Sequence, residues 1–272
     1  MNKIVIPKGK LEKLYLHEKK NAYQISKELK CGSTTVYRKL EHYKIKRRDN
    51  SSCHLRYNKK SFSGDNKEKA YLIGFRLGDL HVRKAVDSPG CKTIRLESHT
   101  TKTEQIFLIR SLFEKYTNVH CKGISNKTLR ALCFLDESFS FLLPKKDRIE
   151  NWIIKDRTLF LAFLAGYIDA EGHIGVHSKS KGRFLVIQTQ DKGIIKSIYK
   201  NLMKFGVTCP PSRIIQYKGY YTSPSAPDKP MNKDMWHVAV YMPCLQKLLT
   251  DLLPYLRHEK RKNDAIKVLE TM

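Results

Sequence analysis

The seven cysteines (31, 53, 91, 121, 133, 209, 244) are odd in number and include no CxxC pair. That argues against a disulfide framework and against a structural zinc site. No apolar run approaches the roughly 18 residues that span a bilayer; the longest, Leu159 to Ile168, stops at Asp169. The amino-terminal MNKIVIPKGK has no signal-peptide core. The expected setting is therefore intracellular and soluble, without a membrane partner: cytoplasm or nucleoid, or an organelle in a eukaryotic host. Acids are also scarce. Only 26 Asp and Glu stand against 52 Lys and Arg, a formal charge of +26, far above the magnitude of about 2 to 8 usual for a small soluble domain. This excess calls for an anionic partner. The basic residues run through the whole chain, predicted strands included, and do not gather on one amphipathic helix, so nucleic acid is favoured over a membrane surface.

What is present suffices for a folded enzyme. Apolar residues make up 41% and aromatics 10% of 272 residues, so the mean hydropathy of -0.48 reflects a charged surface and not disorder. Three regions follow one another. Residues 1–46 carry a helical apolar pattern at Leu11, Leu14, Tyr15, Ile25, Leu29, Val36 and Leu40. Residues 47–66, within KIKRRDNSSCHLRYNKKSFSGDN, are basic and rich in Ser and Asn, without helical or strand period, and are expected to form a linker along phosphates.

Residues 67–272 hold a long-period repeat. Two apolar helices are expected, EKAYLIGFRLGDLHV (68–82) and LFLAFLAGYIDAEGHI (159–174). Each is followed by a strand (81–85; 173–179), a Gly-containing turn (88–90; 181–182), a second strand (CKTIRLES; RFLVIQTQ) and an amphipathic helix (103–116; 192–205). Two more strands and a helix then complete each copy. The fold class is α+β, an αββαββα unit repeated about a pseudo-twofold axis, repeat one spanning about 67–155 and repeat two about 156–272. A Pro- and Ser-rich insertion, GYYTSPSAPDKP (219–230), is expected to be a loop in the second copy.

The sequence LAGYIDAEG, Leu164 to Gly172, resembles the signature of the LAGLIDADG homing endonucleases, and LIGFRLGDL, Leu72 to Leu80, is a looser copy. The resemblance extends over about residues 67–272 and implies a single-chain, two-motif, site-specific double-strand DNA endonuclease with antiparallel DNA-binding sheets. It would act as a monomer on double-stranded DNA with a long recognition site. An inert DNA-binding regulator and an RNA maturase assisting intron splicing share the fold as alternatives. The motif spacing has its own physical reason. Gly74 and Gly78, and Gly166 and Ala170, stand four apart on one helix face, where small residues let backbones approach. Asp79 and Glu171 lie 92 residues apart, each at a helix carboxyl end where the macrodipole disfavours negative charge by about 0.3 to 1 kcal/mol. Paired at one interface, they need a cation between them, and hard oxygen donors select Mg²⁺ (or Mn²⁺). Asp169 matches the motif's first Asp and is expected to cap or pair locally, outside the metal set.

The resemblance further implies a polar or basic residue where each second strand turns into its helix. That residue is Lys102 in the first copy and Gln190 in the second, an asymmetry that predicts unequal cutting of the two strands. Leu80 in place of the motif's last Gly, and Arg76 inside the first helix, depart from the pattern. Base contacts are expected from alternate strand positions: Arg95, Glu97 and His99 in the first copy, and Gln188 and Gln190 in the second. Arg83, His177, Lys179 and Arg183, and with less support Arg130 and Arg213, are further candidates. The stretch NAYQISKELKCGSTTVYRKLEHY resembles a helix-turn-helix: small Ser26 permits a tight crossing, Ser33 can cap, and Thr34, Thr35, Tyr37 and Arg38 would face DNA.

Overall fold

The computed structural model describes residues 5–47, 59–87, 90–125, 127–219 and 230–271. Most of the expected linker (48–58), the turn residues 88 and 89, and positions 220–229 of the insertion lie outside them. The chain divides into two compact units, residues 1–58 with 88–92, and residues 59–87 with 93–272.

Among its described residues the amino-terminal unit has three short helices. They are α1 (Lys8–Glu12, continued by a π-helical turn, Lys13–His17), α2 (Ala22–Glu28) and α3 (Ser33–His42). Its own core gathers Ile6, Leu11, Leu14, Tyr15, Ala22, Ile25, Val36, Leu40 and Ile45. A capping box starts α2: the Gln24 amide N–H donates to Asn21 Oδ1 (2.8 Å), and the Asn21 N–H to Gln24 Oε1 (2.9 Å). Ser26 is buried where α2 meets α3, its hydroxyl donating to the Tyr23 carbonyl (2.8 Å). Between them Lys30 takes a left-handed conformation, φ 49°, where glycine would be at ease. The cap expected at Ser33 falls instead on Gly32, because Ser33 is already helical and Gly32 is the last extended residue; no side chain caps α3.

In the second unit α4 (Asn66–Asp79) leads to β1 (His81–Lys84) and β2 (Thr93–Thr100), then α5 (Thr103–Phe113), β3 (His120–Ser125) and β4 (Thr128–Asp136). A 3₁₀ turn (Glu137–Leu142) and a five-residue α6 (Asn151–Lys155) close the copy. The second copy runs α7 (Arg157–Glu171), β5 (Gly172–Val176), β6 (Arg183–Thr189), α8 (Lys192–Lys204), β7 (Arg213–Gln216), β8 (Met235–Tyr241), α9 (Cys244–Leu252) and α10 (Glu259–Glu270). Both sheets are antiparallel and four-stranded with one order, β1-β2-β4-β3 and β5-β6-β8-β7. The expected repeat holds in its strands. It departs from the expectation at the third helix of copy one, where FSFLLPKKDRIENW packs as short turns broken by Pro144, and by the additional α10 in copy two.

One hydrophobic core serves both copies, with α4 and α7 through its middle. Matched aspartates begin these helices: Asp65 Oδ1 accepts the Glu68 amide (2.8 Å) and Asp156 Oδ1 the Leu159 amide (3.0 Å). Arg76, buried where an apolar residue is usual, donates to the carbonyls of Leu142 (3.0 Å), Leu80 (2.6 Å) and Val82 (3.5 Å). It thus satisfies carbonyls where α4 turns into β1 and ties them to the 3₁₀ turn. No helix among the described residues is long and apolar enough to cross a membrane.

Candidate active site

The helix pair sets the geometry. A Cβ on Gly74 would lie 2.1 Å from the Phe163 carbonyl oxygen, and one on Gly166 2.1 Å from that of Tyr71. These contacts are related by the same 92-residue offset, so the helices cross backbone to backbone about the pseudo-twofold. One turn on, a Cβ on Gly78 would meet Ala170 Cβ at 2.5 Å and Glu171 Cγ at 2.8 Å, with Glu171 Oε1 at 3.3 Å. Asp79 follows directly. Two carboxylates therefore leave the same end of one helix interface.

Their surroundings differ. Asp79 is half-buried, and Gln105 Nε2 donates to its Oδ2 (2.6 Å) from the first turn of α5. Burial, then repulsion from Glu171, pushes the Asp79 carboxyl up to about 7, against the pull of Gln105, Lys102 and Arg261. Glu171 reaches solvent at the end of α7, yet surrounding bulk and then the Asp191 carboxylate raise it above the usual range, opposed by Lys145. Lys102, exposed at the amino end of α5, and Arg261, on α10, thus give the first acid a positive neighbourhood. Gln190 follows β6 half-buried, beside Asp191.

Asp169 plays a different part. It is 1% exposed, and its Oδ2 accepts from the Tyr71 hydroxyl (2.6 Å) and the amides of Arg257 (2.8 Å) and His258 (3.0 Å). The local cap or pairing expected for it is replaced by a long-range latch joining α4, α7 and the entry to α10. Burial raises its carboxyl to about 6. Two paired oxygen donors, crowded by burial and like charge, fit a hard divalent cation. Among the described residues no three His, Cys, Asp or Glu side chains gather in one place.

The remaining candidates distribute over three surfaces. On β2, Arg95, Glu97 and His99 share the outer face, with Ile94, Leu96 and Ser98 buried on the other. Arg83 lies opposite Arg95, and Arg130 opposite His99. Glu97 is not free for a base, since Arg95 (2.7 Å) and Arg130 (2.5 Å) both reach its carboxylate. On β6, Gln188 is exposed on the outer face with Val186. Arg183 has the opposite parity and donates to Thr271 Oγ1 (3.1 Å), which removes it from the base-facing set expected from sequence. His177 stacks beside Phe184 at 4.4 Å, at the tip that also carries exposed Lys179, and Arg213 is exposed on edge strand β7. In the amino-terminal unit Thr34, Tyr37 and Arg38 are exposed and Thr35 half-buried on α3, and the Arg47 guanidinium covers the Tyr37 ring at 5.1 Å.

Sequence reasoning missed Gln105, Arg261, Lys145 and Asp191. Gln105 was within reach, three residues beyond Lys102 on one helix face; the others sit in charge runs that read as solvated surface.

No curated protein matches the chain by sequence. Among solved structures the chain is similar to the homing endonuclease I-WcaI bound to its DNA recognition sequence (18% identity, 74% of this chain and 86% of that one, TM-score 0.49). It is also similar to I-DmoI in complex with DNA and Mn (15%, 69% and 97%, 0.43), and to the LAGLIDADG meganuclease I-AabMI bound to uncleaved DNA (13%, 74% and 90%, 0.45). A family model described as a LAGLIDADG-like domain matches residues 159–225, from α7 through β7. The segment that carries Glu171, β5, β6 and α8 is therefore similar to a LAGLIDADG-like domain.

Proposed function

We propose that this chain is a site-specific endonuclease that hydrolyses both strands of double-stranded DNA with divalent metal, Mg²⁺ or Mn²⁺, held by Asp79 and Glu171. The observation that carries the proposal is the convergence of two acids at one end of the α4–α7 interface, on a chain of formal charge +26. A divalent cation there would neutralise the paired carboxylates and supply the charge that acidifies water at a phosphodiester.

The chain's own residues do the rest. Gln105 holds the Asp79 carboxylate by a 2.6 Å hydrogen bond and leaves its other oxygen available. Lys102 and Arg261 lend positive charge on the Asp79 side, where charge grows on the phosphate, and Lys145 does so on the Glu171 side. Asp191 is a second carboxylate acting on Glu171, whereas among the described residues the carboxylate acting on Asp79 is Glu171 itself, so the two strands are cut at unequal rates. One chain supplies both halves and acts as a monomer. The sheets' outer faces and α3, through Thr34, Thr35, Tyr37 and Arg38, bind a long duplex site.

Asp79→Asn or Glu171→Gln should abolish metal-dependent cutting of target plasmid, by more than about 10³-fold, while duplex binding persists, because phosphate contacts dominate affinity. Cutting retained in both variants would overturn the metal assignment. Binding without cutting by the natural chain would leave an inert DNA-binding protein.

A further inference from the structure

The two sheets expose different chemistry. In the first, Arg95, Glu97 and His99 of β2 stand opposite Phe134, Leu132 and Arg130 of β4. The Glu97 carboxylate is central and only 12% exposed: Arg95 Nη2 lies 2.7 Å from Oε2, Arg130 Nε 2.5 Å and His99 Nε2 3.4 Å from Oε1. A carboxylate enclosed in this way holds the Arg95 guanidinium by a hydrogen bond, draws that of Arg130 by charge, and has little face left for a base. In the second sheet the matching centre is apolar. Half-buried Val186 of β6 stands opposite buried Ala239 of β8, exposed Gln188 opposite His237, and buried Phe184 opposite the exposed Tyr241. The ring of His173 lies 5.2 Å from that of Phe184. The outward arginine of this sheet, Arg213, sits on the edge strand.

We propose that the target is chemically asymmetric: guanines lie in the half-site beneath the first sheet and A·T pairs in the half-site beneath the second. This rests on the reading above that the outer faces bind the duplex, and takes them into the major groove, the groove wide enough for a sheet ribbon and the one whose edges distinguish all four base pairs. An oriented guanidinium matches guanine O6 and N7 in a bidentate pair, Gln matches adenine N6 and N7, and apolar side chains match the thymine methyl. Glu97 is the positioning residue of the first half. It holds Arg95 and Arg130 toward base edges and also repels phosphate, which lowers binding to random duplex. Each bidentate pair discriminates by roughly 5- to 150-fold.

The test is binding selection with the full chain, without divalent metal, from a randomised duplex library, followed by sequencing of the bound pool. One half-site should show at least two guanine positions and the other should be A·T-rich. Arg95→Lys keeps the charge and loses the fork, so it should flatten one guanine preference to under about threefold and leave the A·T half and the salt slope unchanged. Gln188→Ala should do the converse. Glu97→Gln should weaken guanine preference while affinity for random duplex stays level or rises, which a folding defect would not produce. Half-sites of equal composition, or guanine preference intact in Arg95→Lys, would overturn the inference. A pool with no enriched sequence would overturn DNA recognition itself. An asymmetric pool from a chain that never cuts would sustain the inference and sink the nuclease assignment.

Discussion

Asp79 is held against its own charge. Its carboxyl has an ordinary value of 3.8 and stands at about 7 in the folded chain. An acid whose folded pKa is raised adds stability that is fully present below about pH 4, lost as pH rises to about 7 and constant beyond. At 1.36 kcal/mol per unit the ceiling is about 4 kcal/mol, and partial solvent access reduces it to about 1 to 3 kcal/mol. In metal-free buffer Asp79→Asn should therefore raise the melting temperature at pH 8 and leave it unchanged at pH 4. An equal gain at both pH values would show that burial of charge is not the cause. This residue was legible in the sequence because an acid at a helix carboxyl end, repeated 92 residues later, has no reason to recur as surface. Gln105 lay within reach of the helical period from Lys102, but Arg261 did not, since what makes it part of the site is proximity across elements, which no short window of sequence records.

At the scale of elements the decisive feature is the backbone contact of α4 and α7. The four-residue spacing of Gly74 with Gly78, and Gly166 with Ala170, announced it. The structure adds which atoms would collide. A methyl on Gly74 or Gly166 would lie 2.1 Å from a carbonyl oxygen of the other helix, and backbone cannot yield as a side-chain tip can. Gly74→Ala or Gly166→Ala should cost about 3 kcal/mol or more, and Gly78→Ala should displace Glu171 and depress cutting more than stability. Gly123→Ala, with nothing within 4 Å of the added methyl, should change chemical denaturation midpoints by less than about 0.5 kcal/mol in equivalent stability. A small effect at Gly74 comparable to that at Gly123 would refute the close crossing. The paired strands of each copy and the parity of β2 were equally plain, because a period of two shows in any window, whereas the order of strands within each sheet is not written in any window. The helix expected to end copy one is reduced to a 3₁₀ turn and the five-residue α6, with Pro144 between them. Arg183 was misplaced by taking a basic strand residue as outward, when one step of parity sends it to the other face.

For the whole molecule, charge and duplication act together. The duplication puts two acids on one axis with a sheet on each side; the charge of +26 gives the surface its affinity for a polyanion. The amino-terminal unit has a core of its own, and Thr34, Tyr37 and Arg38 are exposed on α3. If α3 binds DNA, deleting residues 1–58 removes phosphate contacts, and each one lost makes the plot of log affinity against log salt shallower by about 0.9. The shortened chain should therefore bind target less tightly at 50 mM salt, with a slope shallower by at least about 2. It should still cut at saturating protein, since Asp79, Glu171 and both sheets remain. Affinities measured by titration at four salt concentrations decide the matter: an unchanged slope means that the amino-terminal helices do not touch DNA, and lost cutting at saturation means that they serve the site itself.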